Sequence, residues 1–212
     1  MDNPMRDGSG HGPDSAVVAA GVVIAWRRWR LCPDESGQPR LGSAHEDHIW
    51  SAPTLRAECD PSRTWSYRLA LDARQQHQAP MAGCRCGIHA YGTPELARPM
   101  GPGIWVHGRV LIGGPMFLTD NGYRGREATI DGPLRLTIEC AGGDDLYSPM
   151  RCFGSPVRVK HAAKVYYPVC SEHLHAPAHT CVEGSFDIAG FLEAASVLAA
   201  NLDTTIVGPA PV

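Results

Sequence analysis

Ile104-Trp105-Val106-His107-Gly108-Arg109-Val110-Leu111-Ile112, then Gly113-Gly114-Pro115, then Tyr123 through Ile130, Asp131-Gly132 and Leu134 through Ile138, is where the fold class is decided. Ile104, Val106, Val110 and Ile112 recur every second residue, the period of a strand with one buried face. Gly113-Gly114-Pro115 predicts a turn at the end of that strand. Tyr123–Ile130 and Leu134–Ile138 predict two more strands, and the Asp131-Gly132 pair between them reads as a hairpin turn. Upstream, Val22-Val23-Ile24-Ala25-Trp26 with Trp29 and Leu31 predicts a strand over 21–31, ended by the Pro/Gly-rich stretch Cys32–Pro39. Leu41–Cys59 reads as a loose strand and loop anchored by Ile49-Trp50. Downstream, Val157–Val169 offers one or two strands. Gly and Pro together number 41 of 212 residues, which favours many turns and short elements over a helical bundle.

Helical periodicity is scarce. Arg63–Gln78 is a helix candidate, with Trp65, Leu69 and Ala73 near helical spacing and Asp60 or Ser62 as cap, and a short helix could begin at Thr93. The clearest helix is Asp187–Leu202, with Ile188, Phe191, Leu192, Ala195, Leu198 and Ala199 on one stripe and Ser185 or Asp187 as cap. The expected fold is mainly β (α+β): a small sheet or barrel-like domain with knuckle-type metal loops and one C-terminal helix. The expected organisation is a disordered leader over 1–15, a β-rich domain with a Cys/His cluster over 16–138, a zinc-ribbon-like extension with the helix over 139–204, and a tail over 205–212.

Eight cysteines and ten histidines raise the question of disulfides or metal. The apolar run Ala16–Trp26 follows an acidic, Gly- and Pro-containing stretch and precedes Arg27, Arg28 and Arg30. That charge order is the reverse of a secretory signal, and eleven residues are too few to span a bilayer. The expectation is therefore a cytoplasmic protein with no membrane partner, in which clustered thiols hold metal.

The first cluster is His77-x6-Cys84-x-Cys86-Gly87, with Cys59 upstream. Thiolate plus imidazole is the usual set for a closed tetrahedral zinc site. Pro80 and Gly83 tighten the approach, and Gly87 can adopt the positive φ that a Cys-x-Cys pair needs to place both sulfurs on one ion. His89 is an alternative ligand. The second cluster is Cys140, Cys152 and Cys170-x2-His173, the last pair like the second knuckle of a zinc ribbon. A ribbon's first knuckle would be Cys-x2-Cys, whereas eleven residues separate Cys140 from Cys152. His161, His175, His179 or Cys181 could therefore replace Cys140.

Trp26-x2-Trp29, Leu41-x-Ser43, Trp50, Ala57-x-Cys59, His77-x-Ala79-Pro80 and Cys84-x-Cys86-Gly87-Ile88-x-Ala90 resemble a group of small actinobacterial and related bacterial or phage proteins of uncharacterised activity. So do Gly108-Arg109-Val110 and Gly122-Tyr123-Arg124-x-Arg126-x-Ala128. The similarity covers about residues 22–138. It implies that Cys59, His77, Cys84 and Cys86 act as a unit. A tyrosine is common in that group at the position of His89, which counts against His89 as a ligand. No chemistry comes with the resemblance.

Catalytic patterns are sparse. His-x-Glu, His-Glu-x2-His and Pro-Cys-x2-Cys are absent from the sequence, and Gly101-Pro102-Gly103 and Gly113-Gly114-Pro115 carry prolines where a phosphate loop would open a helix. A cysteine nucleophile, Cys86 activated by His89 or His107, is the form a cysteine-dependent enzyme would take here. Trp26-Arg27-Arg28-Trp29-Arg30 interleaves rings with cations as nucleic-acid stacking surfaces do, and Arg124 with Arg126 could extend it. The plainer reading is core tryptophans between solvated arginines, in a chain of net charge −3. The expectation is thus a zinc-stabilised interaction or adaptor protein with one or two structural zinc ions and a protein partner. A metal- or cysteine-dependent enzyme or a weak nucleic-acid binder stands behind it.

Overall fold

The computed structural model describes residues 15–43, 48–59, 77–82, 84, 86–99, 101–141, 152, 154–162, 165–174 and 184–208. The architecture is mainly β, as expected, with a large sheet, a small sheet and, among the described residues, one helix. The large sheet contains β1 (Ser15–Pro33), β2 (Pro39–Ser43), β3 (Ile49–Trp50), β4 (Thr54–Arg56) and β5 (Ile88–Tyr91). It continues with β6 (Gly103–Thr119), β7 (Gly122–Ile130) and β8 (Leu134–Glu139), and β12 (Ile206–Val207) adds a parallel pair to β8.

β6 is its spine. One edge of β6 pairs with β1 over almost its whole length, and the other with β7 and then β8. The far edge of β7 pairs with β5 and β4, and β5 reaches β1 at Tyr91–Trp26. The pairings β1–β6–β7–β5–β1 close on themselves, which makes the sheet barrel-like. Inside the curl lie Trp29, Trp50, Val106, Val110, Ile112, Ala128 and Leu134, all fully buried. Trp29 and Trp50 meet edge to face at 5.3 Å. Ile104, Val106, Val110 and Ile112 all point inward, so the period-2 reading of β6 holds.

Two turn expectations are corrected. Gly113-Gly114-Pro115 does not end β6, which continues to Thr119. The register against β7 shifts between Gly113 and Met116, and Gly114 sits at φ 73°. The segment is a bulge, where an extra residue bends the strand and proline's missing N–H does no harm. Asp131-Gly132 is not a hairpin turn either. β7 and β8 run along the same edge of β6, Val110 facing Ile130 and His107 facing Arg135, with 131–133 as a kink between them. The reversal occurs instead at Asp120-Asn121, between Thr119 and Gly122. Gly122 is needed there because a Cβ would stand 2.2 Å from the Ala90 carbonyl oxygen of β5.

The small sheet comprises β9 (Pro156–Ala162), β10 (Val165–Cys170) and β11 (Gly184–Asp187), all antiparallel. It leads into α1 (Ile188–Asn201), which matches the expected helix. The Asp187 carboxylate accepts from the Gly190 N–H at 2.7 Å as cap, and Phe191, Ala195, Leu198 and Ala199 are its buried stripe. Phe191, Tyr166 and Phe186 pack edge to face, and this cluster is continuous with the barrel core. The Tyr166 hydroxyl donates to the Gly37 carbonyl in the β1–β2 turn at 2.7 Å. The helix expected over Arg63–Gln78 falls on 60–76, outside the described residues, and His77 and Gln78 lie in irregular chain. At Thr93 there is no helix but a pair of tight turns, Ala97 N–H to Pro94 O and Arg98 N–H to Glu95 O. Among the described residues no helix is long and apolar enough to cross a membrane.

Candidate metal centres

The structure gathers the eight sequence-nominated residues into two groups of four, Cys59/His77/Cys84/Cys86 and Cys140/Cys152/Cys170/His173. In each group one donor atom per residue lies within 4.8 Å of every other. Neither group includes His89, nor Cys32, whose thiol lies against Gly42. Of the four alternatives named for Cys140, His175, His179 and Cys181 are outside the described residues and His161 falls on the strand Pro156–Ala162; Cys140 itself joins the second group.

In the first group, Cys59 follows β4 and is held by the Ala57 N–H bond to the Arg126 carbonyl. His77, Cys84 and Cys86 come from the loop that enters β5. Cys59 Sγ lies 3.8 Å from Cys84 Sγ, and His77 Nε2 lies 3.3 Å from Cys86 Sγ. A disulfide would need about 2.05 Å. The Cys86 N–H points at Cys84 Sγ (3.5 Å), and the Cys84 N–H bonds to the Met81 carbonyl, so the loop is wound around its own sulfur. Gly87, at φ 125°, allows this turn as expected. A Cβ there would meet Arg124 Cγ at 2.8 Å and Pro80 Cβ at 3.1 Å.

Beneath this loop lies Arg124, which the sequence offered, with Arg126, only as an extension of the Trp26–Arg30 run. It is 2% exposed. Its guanidinium donates to the carbonyls of Met81 (3.3 Å), Cys84 (2.5 Å) and Cys86 (2.5 Å), and stacks 4.8 Å over Phe117. One fixed fork of donors thereby sets the backbone that carries two of the thiols, and places a positive charge below them. A single arginine in an alternating strand carries no signal of this role in the sequence. Its partners are carbonyls brought in from about forty residues away.

In the second group, Cys140 stands at the end of β8, Cys170 at the end of β10, and His173 one turn later, where its N–H bonds to the Cys170 carbonyl. Cys152 Sγ lies 3.6 Å from Cys170 Sγ. His173 Nδ1 lies 3.2 Å from Cys170 Sγ and 3.5 Å from Cys140 Sγ. The Gly154 N–H donates to Cys152 Sγ at 3.3 Å. A Cβ on Gly154 would stand 2.8 Å from Cys170 Sγ, so glycine is what lets this backbone approach the sulfurs. The Cys170-x2-His173 knuckle is as expected. The other half is not a knuckle: Cys140 belongs to the large sheet, so this cluster joins the two sheets.

The thiols titrate as members of crowded sets. Burial pushes Cys86 up to about 12, with the neighbouring Cys84 adding to the rise. Burial would raise Cys84 too, but N–H and side-chain hydrogen bonds from Cys86, His77 and Cys59 leave it lowered. Cys170, likewise opposed by burial, is brought to about 7 by the His173 N–H and ring and by Cys152 and Cys140. In the first set Cys84 ionises more readily while Cys86 resists, and a cation shared by a set is what would ionise its three thiols together, with the histidine bound as the neutral ring. The arrangement can hold metal at both places. No protein-family model, curated protein or solved structure matches the chain.

Proposed function

We propose that the protein is a zinc-stabilised, non-enzymatic binding module in which both Cys3His groups hold structural zinc. The supporting observation is the spacing of the donors. Tetrahedral zinc, with Zn–S of about 2.3 Å and Zn–N of about 2.0–2.1 Å, requires S···S edges of about 3.8 Å and S···N edges of about 3.5 Å. One S···S separation in each group is 3.8 or 3.6 Å, three S···N separations are 3.2–3.5 Å, and every donor pair lies within 4.8 Å. Each set already offers four protein donors, whereas hydrolytic zinc needs a position open to water. One site clips the approach to β5 against the end of β4, and the other ties β8 to the small sheet. Their role is to close loops that a turn-rich chain of this size would otherwise leave costly in entropy. Recognition then falls to the outer surface of the sheet.

Metal analysis of protein purified without added zinc tests this reading. Two zinc ions per chain are expected, matching the two donor sets, and one in either Cys84→Ser or Cys152→Ser. Both variants should also melt earlier. Metal-free wild type of unchanged stability, or a different stoichiometric metal, would overturn it.

A further inference from the structure

β1 presents its residues alternately to the core and to the outside, and the two halves of the Trp26–Arg30 run part company. Arg27 and Trp29 face inward: Arg27 lies 5.6 Å over the Trp50 ring and donates to the His89 carbonyl and to Ser43 Oγ. Trp26, Arg28 and Arg30 lie on the opposite side of the strand, where Arg28 is nonetheless buried, so the expectation of core tryptophans between solvated arginines holds for Trp29 and Arg30 and fails for Trp26, Arg27 and Arg28. Register places Trp26 beside Arg109 and Tyr91, Arg28 beside His107, and Arg30 beside Trp105, with Arg135 next to His107 on the following strand. Four neighbouring strands, β5, β1, β6 and β8, thus contribute rings and cations to one face.

The cations are pre-set. Arg28 lies 5.2 Å over Tyr91 and donates to the Arg98 carbonyl, and Arg30 lies 4.7 Å over Trp105. Stacked guanidiniums keep their plane and lose little freedom on meeting a ligand. The 131–133 kink that separates β7 from β8 opens a cavity of about 320 Å³ in this face, lined by Trp26, His107, Arg109, Asp131, Pro133 and Arg135. Its volume is at the lower end of ligand clefts, about 300–1,000 Å³. His107 Nδ1 is buried there with no hydrogen-bond partner among the described residues. Burial, then Arg135 and Arg98, disfavour the charged form of the ring, so the local field is positive despite the acidic whole. Of the acids on this face, Asp131 is held by Arg109 at 3.0 Å, and Glu139 sits at the end of β8 opposite Gly103.

We propose that this face binds single-stranded nucleic acid, with a base stacked on Trp26 in the cavity and phosphates along Arg30, Arg109 and Arg135. A half-buried ring among cations favours a ligand that alternates planar groups with charges. An acidic peptide would satisfy the cations and leave the ring idle. The proposal rests on reading the chain as a binding module, and is independent of what the metal is.

Fluorescence anisotropy on the metal-replete full chain tests it, with labelled oligothymidylate and oligouridylate of about 20 nucleotides, long enough for one domain's site, and with a labelled polyglutamate of similar charge. Binding of at least one oligonucleotide is expected, weakening with salt and exceeding that of the peptide. Trp26→Ala should weaken it by about tenfold or more. Arg135→Ala, at an exposed position, should reduce the salt slope by about 0.7, the value of one phosphate contact. No oligonucleotide binding, peptide binding as tight as nucleic acid, or affinity and slope unchanged in both variants would overturn the proposal. Zinc content measured on the same samples separates the two readings. Full zinc without binding removes only the ligand assignment; binding without zinc removes only the structural-metal reading.

Discussion

Arg124 is the side chain on which the first metal group most depends without contributing a ligand. Replacing it with methionine keeps the stem but leaves the carbonyls of Met81, Cys84 and Cys86 without their donor. Acceptors left unsatisfied in a half-buried loop cost about 1 kcal/mol each, and a supporting residue of this kind is worth about 10–100-fold in metal affinity. Arg124→Met should therefore lose about 3 kcal/mol or more in chemical denaturation, and should release zinc to a chromophoric chelator far more readily than wild type. Wild-type retention would show that the loop holds its shape unaided. The ligands were legible in the chain because cysteine and histidine are chemically distinctive and clustered. Arg124 was not, since an arginine between Tyr123 and Gly125 reads as exposed until its partners arrive.

The β1–β2 hairpin shows how one short element stores its own stability. The Asp34 carboxylate accepts from the Ser36 hydroxyl, from the Gln38 and Ser36 N–H groups and from Arg40. The Ser36 hydroxyl is the largest cause of its pKa falling to about 2. Slight burial opposes the fall, and the Gln38, Arg40 and Ser36 N–H bonds add to it. An unfolded aspartate titrates near about 3.9. The folded value is the lower one, so the contribution is complete above about pH 5 and is lost as pH falls towards 2. The stability difference between wild type and Asp34→Ala should be about 1–2 kcal/mol at pH 7 and should shrink steadily between pH 5 and 3. A difference independent of pH would mean that the carboxylate's charge is irrelevant to the turn. Alternation announced β6 and β7, and the apolar stripe at helical spacing announced α1. The two misread turns were misread because Gly-Gly-Pro and Asp-Gly-Pro serve a bulge as well as a reversal, and only the neighbouring strand chooses between them.

Across the molecule, the second Cys/His group bridges the large and small sheets, and the aromatic trio Tyr166, Phe186 and Phe191 packs the small sheet and helix against the barrel. Removing metal with excess chelator should unfold this join first. A loss of even 3 kcal/mol should lower Tm by about 6–12 °C for a chain of this length. Phe191→Ala, which empties a fully buried site, should cost about 3–5 kcal/mol with metal still bound. If chelation left the melting curve unchanged, the metals would have no structural task.

Residue order alone was enough to specify strand period, the helix with Ser185 or Asp187 as its cap, and which thiols and imidazoles are candidates to share an ion. Those are local or compositional properties, carried by spacing and by side-chain chemistry. Closure of the sheet through Tyr91–Trp26, the inward turn of Arg27 and Arg124, and the gathering of Cys140 with Cys152, Cys170 and His173 depend on strand partners far apart in the chain. Which partner a strand finds is set by the packing of the whole core, and no window of neighbouring residues contains that information.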